Sequence, residues 1–147
     1  MGTLKGLAAR MNKEADDIET LASDAAVWFA KYLVAELIKE TPVDTSRALS
    51  NWLINFGAPS NAGTIDFVPG VAGSTEGTNT AAAIQRAHTI LDGKIPGEAI
   101  YISNVVRYIV YLNQGTSKQA PALYVENAIL RAKVALRSKI EAGGFRK

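Results

Sequence analysis

The chain has 147 residues, a net charge of +2 and 48% apolar residues, which are proportions of one globular domain, 1–147, rather than of a disordered chain. It has no cysteine and one histidine, so disulfides, thiolate chemistry and a multi-histidine metal cluster within the chain are excluded. No apolar run approaches the ~18 residues that a membrane span needs, and no signal peptide is visible, so we expect a soluble protein.

Charge is spread unevenly along the chain. Residues 1–40 contain five basic and seven acidic side chains, whereas residues 128–147 contain six basic and one acidic. This pattern fits solvated helix faces and a tail, and it also fits an end-to-end contact between copies or a surface near nucleic acid.

The first predicted element is a long helix within residues 1–40. Pro42 ends it, because proline excludes the helical region for the residue before it. A helix from about 12 to 40 is roughly 43 Å long, so we expect part of it to project or to pack against another chain. Apolar side chains at spacings of three and four residues mark one face: Leu4, Leu7, Met11, Ile18, Leu21, Ala25, Trp28, Tyr32 and Ala35.

An elbow and a strand are predicted over 41–57. Within 48–56, apolar and polar residues alternate, which places Trp52 and Ile54 on one face of a strand. Residues 58–79 are rich in Gly, Ser, Thr, Asn and Pro, and they predict an extended arm, either a long loop or a hairpin.

Four further elements complete the predicted fold. They are a helix over 80–92, a strand over 97–104, a short helix over 105–115 and a C-terminal helix over 121–142. The expected fold class is α+β, in which the long N-terminal helix and the C-terminal helix pack on a small antiparallel sheet. The predicted core consists of Leu21, Trp28, Tyr32, Trp52, Ile54, Phe56, Ile100, Ile102, Val125, Ile129 and Leu136.

No arrangement of catalytic groups is visible in the sequence. His88 lies in an alanine-rich helical segment without a nucleophile motif, and we interpret it as a solvent-facing or half-buried histidine. The glycines of 70–73 lack the lysine of a phosphate-binding loop, and Asp16 and Asp17 diverge on a helix because they are adjacent. We therefore expect no enzyme, with no catalytic residues, no cofactor and no metal site.

Two polar turns indicate a particular family when they are taken together with neighbouring segments. The segments are 41–49 (TPVDTSRAL), 100–104 (IYISN), 108–115 (YIVYLNQG) and 117–121 (SKQAP). On these segments the chain resembles the small neck and tail-completion proteins of tailed bacteriophages over roughly residues 15–140. That family has a long N-terminal helix, a Thr-Pro-Val-Asp-Thr-Gly-Arg-Leu elbow, an Ile-Tyr-Ile-x-Asn strand, a Tyr-Ala-x-x-Leu-Glu-x-Gly turn and Ser-x-Gln-Ala-Pro before the last helix.

Three positions depart from the family pattern. Ser46 stands in place of the usual glycine, which predicts an elbow that does not rely on a positive φ. Arg107 stands where a proline is common. Asn113 replaces the usual glutamate, which removes a charge that would be available for a neighbouring copy.

The resemblance implies a structural role in the virion. Such proteins form rings, commonly of six copies, around the DNA channel between the head-tail connector and the tail tube, and they are made in the host cytoplasm. A ring requires a heterologous contact between copies. Both a tail-completion or tail-terminator protein and a head-side adaptor or stopper of the connector fit the resemblance.

The contact residues follow from the same segments. The expected interchain contacts are Asp44, Arg47, Asn113, Gly115, Ser117, Lys118 and Gln119. The residues that would face DNA in the channel, in a sequence-independent way, are Arg131, Lys133, Arg137 and Lys139, for which a solvated helix face is the alternative. A nucleic-acid-binding module that uses the basic C-terminus is a rival function, but only Tyr124 and Phe145 flank this region as stacking aromatics.

Overall fold

The computed structural model describes residues 3–42, 46–60, 67–106, 109–115 and 122–145. Within them the fold is α+β, with a long N-terminal helix, a C-terminal helix and a two-stranded antiparallel sheet. In chain order the elements are α1 (Leu4–Glu40), α2 (Arg47–Ser50), β1 (Trp52–Phe56), α3 (Glu76–Asp92), β2 (Ile100–Asn104), α4 (Ile109–Asn113) and α5 (Tyr124–Glu141).

Helix α1 confirms the predicted long helix and its end. Thr3 caps its start, because its hydroxyl accepts a hydrogen bond from the Gly6 amide at 3.1 Å. At the other end Thr41 leaves the helical region, and both its amide and its hydroxyl donate to the Leu37 carbonyl. These bonds satisfy a carbonyl that the end of the helix would otherwise leave unpaired.

The strand predicted within 48–56 is shorter than the alternating pattern indicated. Residues 47–50 form the short helix α2, and β1 begins at Trp52. The Asn51 side chain stabilises this turn by donating to the Arg47 carbonyl at 2.7 Å. Ala48 and Leu49 are both buried, because a helical turn buries two adjacent residues that a strand would place on opposite faces.

The two strands pair antiparallel, as predicted. Trp52 lies opposite Asn104 and Phe56 lies opposite Ile100. Trp52, Leu53 and Ile54 are all buried, so both faces of β1 are covered near its start. A two-stranded sheet is marginal alone, and here α3 and α1 cover it.

The predicted arm over 58–79 is wrong at its C-terminal end, because α3 begins at Glu76 instead of residue 80. The buried Asn79 side chain, in the first turns of α3, accepts from the Val68 amide at 2.8 Å and donates to the Val68 carbonyl at 2.7 Å. Val68 is thereby fixed against α3, so at least this part of the segment is docked on the domain. Residues 61–66 of the arm lie outside the described residues.

The core lies between the C-terminal half of α1, the sheet, α3 and α5. The prediction of Trp52 and Ile54 as buried core is confirmed, and Tyr32, Phe56, Ile100, Ile102, Val125 and Ile129 pack against the core while partly buried. Leu21, Trp28 and Leu136 do not belong to the core. For Leu21 and Trp28 the reason is that α1 turns a different stripe inwards. That stripe consists of Ala30, Leu33, Val34, Leu37 and Ile38.

Candidate assembly surface

The domain covers α1 only from about its middle onwards. The first contacts come from the loop after α3, where Lys94 donates to the Ser23 hydroxyl at 2.8 Å and Gly97 lies beside the Glu19 carboxylate. Before this point the apolar side chains of α1 are uncovered: Leu4 is 87% exposed, Leu7 45%, Met11 61% and Ile18 67%. A capped helix with a row of exposed large apolar residues is a surface suited to a partner.

A groove continues this apolar row onto the domain. It has a volume of about 290 Å³ and is lined by Ile18, Leu21, Ala22, Ala25, Ile140, Gly143 and Phe145. Phe145 meets the Trp28 ring edge-on with centroids 6.2 Å apart, and the Lys139 ammonium lies 5.7 Å from the Trp28 centroid. The end of α5 therefore covers α1 as far as the groove, and the apolar row runs on from there without a neighbour among the described residues.

The elbow uses a positive φ, contrary to the expectation from Ser46. Ser46 has φ 73° and is 1% exposed. A serine in this region costs about 1–3 kcal/mol and requires support from its surroundings. Its hydroxyl lies 3.1 Å from that of Thr75, and its carbonyl accepts from the Ser50 amide. Arg47 follows with an exposed side chain, whereas Asp44 lies outside the described residues.

Buried polar groups fix the elbow to the core. The Trp52 indole donates to the Thr41 hydroxyl at 2.8 Å. Burial raises the pKa of the Tyr124 hydroxyl, and Thr41 beside it offsets part of the rise.

Arg86 of α3 donates to the Ser50 carbonyl, and burial lowers the pKa of this guanidinium. On the other side, the Asn104 side chain donates to the Ala48 carbonyl at 2.9 Å.

Asn113 and Gly115 hold the base of the loop that leads to α5. The Asn113 side chain accepts from the Val125 amide at 2.9 Å and donates to the Glu126 carboxylate, so it caps α5 from outside. Gly115 has φ 89°, and a Cβ there would lie 3.0 Å from the Ala122 Cβ. Both predicted contact residues therefore have roles within the chain. Ser117, Lys118 and Gln119 lie outside the described residues.

The four basic residues of α5 do not form one surface. Arg131 pairs with α1, its Nε lying 3.2 Å from Glu36 Oε2 and a terminal nitrogen 3.8 Å from Glu40 Oε1. Lys139 lies over the rings of Trp28 and Phe145. Both are thus engaged with neighbours in the chain, which counts against the prediction that all four face a DNA channel. Lys133 and Arg137 are exposed and one helical turn apart.

Three asparagines organise the turns, a role that the sequence analysis does not predict. Asn79, Asn104 and Asn113 each bond to backbone groups of another segment. Two of them stand inside the quoted motifs, at the end of IYISN and before the glycine turn, and that position was an available signal. Asn79 has no comparable signal, because an asparagine within a helical pattern is usually solvent-exposed.

The described residues include no cluster of three or more side chains positioned to ligate a metal ion, and none of their helices combines the length and apolarity needed to cross a membrane. His88 is half-buried on α3, as one of its two interpretations expected.

Comparison of the chain with models of protein families, with curated proteins and with solved structures found no match.

Proposed function

We propose that the chain is a structural subunit of the neck of a tailed bacteriophage, which forms a ring of about six copies that joins the head-tail connector to the tail. Its role in this proposal is geometric and non-catalytic. The tail-completion or tail-terminator position is the first candidate, and a head-side adaptor or stopper is the alternative within the same class.

The observation that carries the proposal is the convergence of the motif segments. Thr41 of the elbow contacts Trp52, Asn104 at the end of the strand motif holds α2, and Asn113 caps α5. Three of the four motif segments, which are far apart in the chain, thus lie around one end of the domain, and the fourth lies outside the described residues.

DNA contact belongs to the proposal only through Lys133 and Arg137. Because they are exposed and carry two positive charges, we expect weak, sequence-independent and salt-sensitive attraction to DNA in the channel. A gel-shift titration at low and moderate salt separates this from the rival function, for which retention would be tight and sequence-dependent.

The test is reconstitution with the connector and tail-tube proteins of the same phage, followed by electron microscopy. We expect rings at the junction, and we expect Lys118→Glu with Gln119→Glu to reduce ring yield while the thermal transition of the free subunit stays unchanged. Lys39→Glu with Gln85→Glu is the matched control, since it makes the same change of charge at exposed residues outside the proposed contacts. Absence of the chain from purified virions by mass spectrometry would contradict the proposal.

A further inference from the structure

The uncovered half of α1 has the sequence pattern of a coiled coil. Six positions, five of them apolar, follow spacings of three, four, three, four and three residues, which is the heptad rule for positions a and d. Four of the six are large, strongly exposed apolar residues, and the fifth, Leu21, lines the groove. The six positions are Leu4, Leu7, Met11, Glu14, Ile18 and Leu21, which we call the α1 seam.

This half of α1 is a regular, capped helix that lacks a packing partner among the described residues. Thr3 caps it and the helix is continuous with the core half. A single helix of this length is marginal in water, because helical stability in proteins comes mostly from packing of the apolar face. The seam is therefore a surface shaped for another helix.

We propose that the α1 seam pairs with the α1 seam of a second copy in antiparallel orientation. Antiparallel pairing joins each a position to a d position of the other copy. Leu4 then meets Leu21 of the second copy, Leu7 meets Ile18, and Met11 meets Glu14. The whole seam is used in one register, over about 27 Å of helix at 1.5 Å per residue.

The charges beside the seam select this orientation. Residues 4–13 carry Lys5, Arg10 and Lys13 and no acid, whereas residues 14–24 carry five acids and no base. Two copies in antiparallel arrangement therefore bring opposite charges together along the whole contact. At the flanking g positions, Arg10 faces Asp17 of the second copy, and this pair occurs twice because of the two-fold symmetry.

Parallel pairing is disfavoured by the same residues. It places Glu14 against Glu14 of the second copy in one buried layer, where two like charges repel each other, whereas antiparallel pairing sets each Glu14 against Met11 and offsets the two carboxylates by about 4.5 Å along the axis. It also sets Arg10 and Asp17 opposite Ala15 and Ala22, so neither charge gains a partner.

The alanines and the groove fit the antiparallel pair. The e positions are Ala8, Ala15 and Ala22, and these small side chains let the two helices approach closely. Leu4 of the second copy reaches the groove beside Leu21, which Ile140 and Phe145 also line. The two domains sit at opposite ends of the helix pair, because the domain meets α1 only from about Glu19 onwards.

This contact is separate from the proposed ring. A two-fold contact closes after two copies, whereas a ring requires one surface to meet a different one. The pairing rests on the α1 seam alone, so failure of either proposal leaves the other standing. Pairing keeps the seam out of water in subunits that are not part of a ring.

Charge reversal tests the pairing in the full chain by sedimentation equilibrium over a concentration series. We expect a dimer, and Arg10→Asp or Asp17→Arg should each raise its dissociation constant about tenfold, since two attractive pairs become repulsive. The double variant should restore the affinity. Lys13→Asp is the control, because it makes the same change of charge at a position that does not flank the seam, so it should raise the dissociation constant much less than tenfold.

Orientation is tested with single cysteines, since the chain has no cysteine of its own. A mixture of Leu7→Cys and Ile18→Cys should form an intermolecular disulfide that neither variant forms alone, because like positions lie about 16 Å apart along the antiparallel pair. A Leu7→Cys disulfide formed alone would indicate parallel pairing and overturn the proposal. So would a chain that is monomeric up to about 1 mM, far above the ordinary range of stable dimers, or a dimer that Arg10→Asp leaves intact.

Discussion

The two halves of α1 differ in how far the domain covers their apolar residues. In the C-terminal half, Leu33, Val34, Leu37 and Ile38 are at most 8% exposed, whereas the apolar residues of the N-terminal seam reach 87%. Both halves have apolar residues at helical spacing, and one continuous helix contains both. A helical pattern thus predicts the helix but not what covers it.

Replacing a leucine by alanine in each half should give the largest difference between them. Leu37→Ala should lower the free energy of unfolding by about 2–5 kcal/mol, because it leaves a cavity among buried side chains. Leu7→Ala should change it by less than about 0.5 kcal/mol, since alanine keeps the helix and little packing is lost within the chain. Urea unfolding at submicromolar concentration measures both, because association also stabilises the folded state. Similar losses would mean that the domain packs on both halves.

The pattern of α1 was ambiguous for a physical reason. Residues 25–38 are apolar on nearly every side, so the periodicity offers more than one inward stripe. The spacing from Leu4 through Trp28 and Tyr32 predicts one stripe, whereas the core takes Leu33, Val34 and Leu37. Local spacing records which residues share a face, and only tertiary packing decides which face is buried.

Local sequence likewise predicts some features of the turns and not others. The end of α1 at Thr41 was predictable, because Pro42 excludes the helix by local sterics. The positive φ of Ser46 was not, since a serine adopts it only with the support of Thr75 and of the backbone of α2. Gly115 is predicted to contact another copy, whereas it lies against Ala122 of the same chain. Local sequence does not indicate this neighbour, because Ala122 belongs to a segment that comes later in the chain.

Thr41 lies at the junction where the covered half of α1 ends. Thr41→Val keeps the shape of the side chain but removes the oxygen that accepts from the Trp52 indole. We expect a loss of about 1–3 kcal/mol, because a buried donor is left unpaired.

A double-mutant cycle with Trp52→Phe isolates that bond, since the loss for Thr41→Val should shrink once the indole donor is gone. Additive effects of the two substitutions would show that the bond contributes nothing. Thr3→Val is the corresponding variant at the exposed start of α1, where a solvated cap gives a smaller loss of about 1 kcal/mol.

The smallest expected effect is a pH dependence of the covered half. Burial raises the pKa of Tyr124, so at pH values above the ordinary tyrosine pKa of about 10 the unfolded chain loses this proton before the folded chain does. The folded state then binds more protons than the unfolded state, and stability falls as pH rises through that window. Tyr124→Phe should flatten the decline in urea unfolding measured between about pH 9 and 11. Tyr101→Phe is the control, since this tyrosine is exposed on β2. Parallel declines for the parent chain and Tyr124→Phe would show that the hydroxyl is no better shielded in the folded state, and the junction of α1 with α5 would then be more open than its burial indicates.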